Sequence, residues 1–392
     1  MGHSQEAPAG PVWVEIPQDV LLEEVTVPPV TSLEAEVRAP SASPPVTGEA
    51  ARLLAATERP VILAGGGVRR SDGAPEALVA VAELLDAPVV STSGGNGAIP
   101  LGHPLSAGAW IEDRHTTDLL DDADALLAIG TSFGEVTSNY GTFTPRGRVI
   151  QIDAEARVLG SNHDVLGVHA DAAAALRDLA AALGESGPRA GSRRSGAEVA
   201  RDLRALVEKR LDAQDLSREQ RLLADLRAAV PDEADTFWDM TIAAYWAWSA
   251  WDPRDGGFHT AQASGGLGLG FPAAIGAAVG SGRRTFAVSG DGGAMYSIAE
   301  LATARQHDVD VTWLVIDDGG YGILREYMTG AFGAATATEL ARPDFVRLAE
   351  AFGIPVHAAT PETVGEIVAG TFTTSGPAVV VLPTTLRMFA PT

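Results

Sequence analysis

Two aspartates, Asp291 and Asp318, stand 27 positions apart on glycine-rich stretches, S-G-D-G-G and D-D-G-G-Y-G. At ~4 Å two like charges repel by roughly 4 kcal/mol at an effective dielectric near 20. A divalent cation between them reverses that penalty. Hard oxygen ligands on short turns suit Mg²⁺ or Ca²⁺, and Mg²⁺ usually shares its shell with phosphates. The glycines beside both acids leave backbone N–H groups open to such phosphates. D-G pairs alone are ordinary turn punctuation. What raises the signal is the order of elements around them.

Residues 285–289 read as a strand, 290–293 as a glycine-acid turn and 297–306 as a helix. Residues 311–316 then form a strongly apolar strand, and 317–322 a second acid-glycine turn. In a parallel βαβ unit both turns lie at the carboxyl ends of neighbouring strands, where α/β sheets collect ligands. The two carboxylates then face one crevice.

The rest of the chain repeats this alternation. Strands are expected at 60–64, 88–92, 125–129 and 149–152, with helices at 51–57, 75–85 and 172–183. A second series has strands at 235–238 and 378–382 and helices at 197–213, 217–229, 242–251 and 342–352, with Pro272 suited to a first helical turn. The fold class is therefore α/β, two doubly wound parallel-sheet domains. Residues 10–20 read as one strand with no neighbour to pair with. Pro28, Pro29, Pro40, Pro44 and Pro45 mark an extended linker, and residues 186–196, rich in arginine, a solvated hinge. Gly65, Gly66 and Gly67 follow a strand but miss the G-x-G-x-x-G spacing, so they read as a structural turn. His259 and His307 read as surface or capping residues, and the aromatics of 242–251 as core or interface.

Of 392 residues, 28 are basic and 51 acidic, a net charge of −23, which argues against binding nucleic acid or an anionic membrane. Cysteine is absent, which excludes disulfides, thiolate metal sites and cysteine nucleophiles. The start has no apolar signal core and no apolar run reaches spanning length, so a cytoplasmic enzyme is the default expectation.

The segment from Ser289 to Tyr321 resembles the cofactor motif of the thiamine-diphosphate-dependent 2-oxo acid enzymes, such as acetolactate synthase and benzoylformate decarboxylase. In that motif G-D-G is followed, one helix and one strand later, by N-N. The resemblance implies thiamine diphosphate and Mg²⁺ as cofactors. Asp291 would be the first metal ligand, Asp318 the second in place of the second asparagine, and the carbonyl of Gly320 the third. Gly290, Gly292 and Gly293 would lie against the diphosphate and Thr241 would hydrogen-bond it, unless Thr241 is simply a helix N-cap. The carbonyl of Gly265 would accept from the cofactor's 4′-amino group. Leu267 would hold its folded V shape, unless it is a plain core leucine. Gly266, Tyr321 and Gly322 complete the implied cofactor-lining set. D-D in place of N-N adds negative charge beside the diphosphate.

The resemblance also implies a domain plan. Residues 1–24 would be the closing strand of a pyrimidine-binding domain otherwise missing, and 25–46 a linker. Residues 47–185 would be the central Rossmann-like domain, which carries FAD in some members and none in many; FAD stays open here but is not favoured. Residues 186–215 would be a linker and helix, and 216–392 the diphosphate-binding domain. The expected function is the diphosphate-binding subunit of a split enzyme that decarboxylates a 2-oxo acid and ligates the resulting enamine to a second carbonyl. The activating glutamate would come from a separate pyrimidine-binding subunit, giving a heterotetramer, with the substrate pocket partly in residues 324–340. A simple 2-oxo acid decarboxylase, a non-catalytic cofactor-binding subunit and a nucleotide-binding protein are the alternatives.

Overall fold

The computed structural model describes residues 12–24, 26, 40–185, 194–262 and 264–390. Among them the chain builds two six-stranded, all-parallel sheets. The first holds β1 (Pro60–Ala64), β2 (Val89–Ser91), β3 (Ser106–Gly108), β4 (Ala125–Ile129), β5 (Arg148–Asp153) and β6 (Val165–His169). Its spatial order is β3-β2-β1-β4-β5-β6. The second holds β7 (Thr236–Trp238), β8 (Phe258–Thr260), β9 (Thr285–Gly290), β10 (Val311–Asp317), β11 (Val356–Ala358) and β12 (Ala378–Pro383), in the order β11-β12-β10-β9-β7-β8. The inner strands are buried along their length, because helices cover both faces; their sequences accordingly run apolar without alternation, as in P-V-I-L-A and V-T-W-L-V-I.

The helices that matter for the site are α1 (Gly196–Asp212), α2 (Ser217–Ala229), α3 (Ile242–Ala250), α4 (Gly270–Ser281), α5 (Asp291–Ser297), α6 (Glu300–Gln306), α7 (Gly322–Phe332) and α8 (Phe345–Ala351). α1 opens on a capping box, Ser195 accepting from Glu198 N–H while the Glu198 carboxylate accepts from Ser195 N–H. The aromatics of α3 are mostly core. Trp246 and Trp248 are buried, and the Trp246 indole donates to the Arg387 carbonyl at 2.8 Å. Trp313 of β10 stacks on Phe271 of α4 at 4.1 Å.

Several expectations are corrected. The strand foreseen in 10–20, ending at Pro17, is not formed in its described part: residues 12–17 have no ladder, and one helical turn, Gln18–Leu21, follows them. A strand needs a neighbour for its N–H and C=O groups, and the described residues supply none. The arginine-rich residues 188–193 and Pro28 and Pro29 lie outside the described residues. Pro44 and Pro45, assigned to the linker, instead open the helix Pro44–Ala55, where a first-turn proline loses no hydrogen bond. The helix foreseen from 342 starts at Phe345, because Pro343 disfavours helical backbone at Arg342 and Asp344 caps the helix through Val346 and Arg347 N–H. The turn at 290–293 is already helical: Gly290 is the extended N-cap of α5.

The two sheets share a packed seam. Arg69, beyond β1, donates to the carbonyls of Gly97 at 3.1 Å and Gly256 at 3.0 Å. Arg210 of α1 meets the wholly buried Asp113 at 2.5 Å. Glu112 is 5% exposed and accepts from the Tyr140 hydroxyl at 2.6 Å. Burial pushes the Glu112 carboxyl above its ordinary range, partly opposed by Tyr140, and the same carboxyl helps raise Tyr245 and Tyr327 from the second unit. Above the ordinary value near 4.5 the unfolded chain has released this proton while the folded chain still holds it, so stability falls as pH rises through that window. Glu112→Gln is expected to flatten the fall in stability that begins above pH 4.5, measured by thermal unfolding against wild type.

Candidate functional site

The second sheet reverses its winding between β7 and β9, the point where open α/β sheets leave a crevice outside their carboxyl edge. Three chain turns end there. β7 leads through Asp239 to Thr241, β9 through Gly290 to Asp291, and β10 through Asp317 to Gly322. A Cβ built on Gly290 would stand 3.3 Å from Thr241 Oγ1, so these turns touch. Thr241 occupies the N-cap position of α3, but its side chain makes no capping bond and the hydroxyl is free for another partner.

Asp291 is the first residue of α5, with its side chain wholly buried. Neither of its carboxylate oxygens has a hydrogen-bond partner, and the same holds for Oδ1 of Asp318. Buried polar atoms left in this way are costly. Burial first, then the like charges of Asp318 and Asp317, push the Asp291 carboxyl up to about 6, against the pull of Arg342. Burial likewise raises Asp318. The side chain of Asp318 folds against Gly322, where any Cβ would collide with Oδ2. Gly320 has φ 152°, a conformation only glycine adopts without strain, and a Cβ there would strike the Thr338 carbonyl.

The other expected residues surround this pair. Gly292 is covered by the Tyr321 ring and the Leu340 side chain, and the Tyr321 hydroxyl lies 3.3 Å from that of Tyr296. Gly293 packs against Asp239, whose Oδ2 would be 2.9 Å from a Cβ built there. Gly265, Gly266 and Leu267 belong to the glycine-rich loop before α4. That loop is anchored to the site at Gly268, whose N–H donates to both oxygens of Asp239 at 3.0 and 2.9 Å. Leu267 is half-buried rather than part of the core. Asp239 directly follows the strand foreseen at 235–238. It is 0% exposed and ties β7, the glycine loop and α5 together.

The donor set fits a hard divalent cation: two carboxylates of a like-charged pair, three of their four oxygens unpartnered, beside a backbone carbonyl. Among the described residues no group of three or more His, Cys, Asp and Glu side chains converges as a cage, so a cation held here keeps shell positions for other oxygens. Glycine N–H groups at the start of α5 stand where a phosphate can be met. The first sheet differs. There the crevice between β1 and β4 is closed by backbone, Gly65 and Gly67 lying against Gly130 so tightly that a Cβ on either would collide. That closure supports the structural-turn reading of Gly65–Gly67. His259 stacks on Phe237 and His307 ends α6, each in a structural role.

Residues 47–179 match a family described as thiamine pyrophosphate enzyme, central domain, and residues 239–382 match thiamine pyrophosphate enzyme, C-terminal TPP binding domain. A probable acetolactate synthase large subunit of Methanocaldococcus jannaschii is 33% identical over 369 residues, covering 88% of this chain and 61% of that protein. The acetolactate synthase isozyme 1 large subunit of Escherichia coli is 29% identical, covering 90% and 63%. A probable 2-ketoarginine decarboxylase of Pseudomonas aeruginosa is 32% identical, covering 88% and 62%. The chain thus spans about three fifths of the length of these relatives. Among the described residues no helix is long and apolar enough to cross a membrane.

Because Asp291 is buried beside two further aspartates and only partly offset by Arg342, Asp291→Asn is expected to raise the unfolding temperature of the metal-free chain at pH 7.5 by about 2–4 °C. The same substitution is expected to cancel the stabilisation that Mg²⁺ gives the wild type. Parallel thermal scans with and without Mg²⁺ read both effects.

Proposed function

The chain belongs to the thiamine pyrophosphate enzyme family, related to acetolactate synthase, and from that premise we propose that it carries the diphosphate-and-metal half of a 2-oxo acid decarboxylase and carboligase site. The observation that carries this reading is the pairing of buried Asp291 with half-buried Asp318 at the β7/β9 crevice, three of their four oxygens unpartnered. In this reading Asp291, Asp318 and the Gly320 carbonyl hold Mg²⁺, and Gly290, Gly292, Gly293 and Thr241 receive the diphosphate. Gly265 and Gly266 line the cofactor's bend with Leu267 as its wedge, and Tyr321 and Gly322 close the other side. When bound, thiamine diphosphate supplies the carbanion that cleaves the bond between the carbonyl carbon and the carboxylate of a 2-oxo acid. The protein's own task is to anchor and orient that group. Asp239 does so indirectly, by fixing the glycine loop to α5.

The cofactor's other half needs an activating acid, and we assign it to a second polypeptide. Supporting this is the segment 12–22, where Trp13 is 87% exposed and Val14, Ile16, Leu21 and Leu22 are exposed as well. So much apolar surface on one short stretch marks a docking element. We read it as completing the sheet of the pyrimidine-binding partner, in a hetero-oligomer. A plain decarboxylase without the ligation step is the second reading, favoured by the likeness to the probable 2-ketoarginine decarboxylase.

Native mass spectrometry of the protein from its source is expected to show this chain with a second, different polypeptide, thiamine diphosphate and Mg²⁺. A chain heavier than 392 residues account for, or full turnover of 2-oxo acids by the chain alone, contradicts the split reading. Product analysis with pyruvate separates ligation, which yields acetolactate, from release of the aldehyde.

A further inference from the structure

The acid pair that ends β10 carries one carboxylate more than a cation site of this kind needs. Asp291, Asp317 and Asp318 bring three negative charges to one crevice, and a divalent cation offsets two. The third is met by Arg342. Its Nε donates to Asp317 Oδ1 at 2.6 Å and lies 3.2 Å from Asp291 Oδ2. We propose that Arg342 is the built-in countercharge of this site, holding Asp317 out of the cation's shell so that Asp318 alone joins Asp291. The inference rests on the thiamine diphosphate and Mg²⁺ reading and extends it to a residue outside the metal motif.

The position of Arg342 follows from the backbone around it. The segment 338–342 is laced to the acid-glycine turn: Gly320 and Glu339 form an antiparallel bridge, and Tyr321 N–H donates to the Thr338 carbonyl at 2.9 Å. Leu340 N–H reaches the Gly319 carbonyl at 3.3 Å, and its side chain lies over Gly292. Pro343 then keeps Arg342 out of the helix that follows, so its side chain returns toward the turn instead of pointing along α8. The side chain is 35% exposed, Asp317 is 18% and Asp291 is 0%.

A second arginine stands nearby but is already matched. Arg325 of α7 approaches the Asp318 carbonyl at 3.4 Å, while its guanidinium pairs with Glu339 at 2.8 Å. Arg342 has Asp317 as its hydrogen-bonded partner. It bonds neither oxygen of Asp291, and those lone pairs stay available to a metal ion. Arg342 is thus a positioning residue rather than a ligand.

The competing idea is that Arg342 is a plug occupying the cation's place. The two differ in the double variant. Calorimetric titration of Mg²⁺ into the full chain, with its partner where one co-purifies and at saturating thiamine diphosphate, separates them. Arg342→Gln is expected to tighten Mg²⁺ about ten-fold, because Asp317 is left as an uncompensated charge beside the cation. Arg342→Lys keeps the charge and is expected to fall between wild type and Arg342→Gln. Asp317→Asn combined with Arg342→Gln removes both charges and is expected to restore affinity to within about three-fold of wild type. Unfolding temperatures without ligand check that each variant is folded. Wild-type binding with Arg342→Gln unchanged or weaker, or a double variant that stays as tight as Arg342→Gln, overturns the assignment of Arg342 alone. No saturable Mg²⁺ binding by wild type overturns the cofactor reading and this assignment with it.

Discussion

Two carboxylates brought together at the carboxyl edge of β9 and β10, three of their four oxygens without hydrogen-bond partners, are the constraint around which that edge is arranged. Asp291 is fully enclosed and its carboxyl is lifted by burial and by the neighbouring aspartates. A fold stabilised only for its own sake would replace such a group or pair it with a donor. Here Arg342 hydrogen-bonds Asp317 and only approaches Asp291, at 3.2 Å. Gly322 makes room for Asp318, Gly293 for Asp239, and Gly320 takes a backbone conformation that brings its carbonyl into the same turn. In the proposed reading, the cost in metal-free stability is the counterpart of attraction for a divalent cation.

The support around the pair is equally specific. Asp239 binds the glycine loop through Gly268 and packs on Gly293, so it links the loop before α4 to the start of α5. Arg342 answers the extra charge of Asp317 from a segment laced to the turn by backbone hydrogen bonds. In the first sheet Gly65 and Gly67 lie against the backbone of Gly130, so the corresponding place between β1 and β4 is filled by main chain.

Much of this was legible from residue order. The inner strands announce themselves as apolar runs because both of their faces are covered, and the acid-glycine turns end two of them. The strands that escaped notice, β3, β6, β8 and β11, are the four edges of the two sheets. They are short or half-exposed, S-A-G, V-L-G-V-H, F-H-T and V-H-A, and carry no run that distinguishes them from loops. Arg342 was read as the start of a helix. Its true role depends on contacts with a turn some 25 positions away, which no local pattern encodes. Likewise the burial of Asp239 and the freedom of the Thr241 hydroxyl are tertiary facts.

The most direct test of the cation site is crystallographic. Mn²⁺ can replace Mg²⁺ in crystals grown with thiamine diphosphate, and its anomalous scattering reports where it binds. The account predicts one ion within roughly 2.2 Å of a carboxylate oxygen of Asp291, an oxygen of Asp318 and the Gly320 carbonyl, with Asp317 turned toward Arg342. An ion bound elsewhere, with the Asp291 and Asp318 oxygens left without metal, would contradict it.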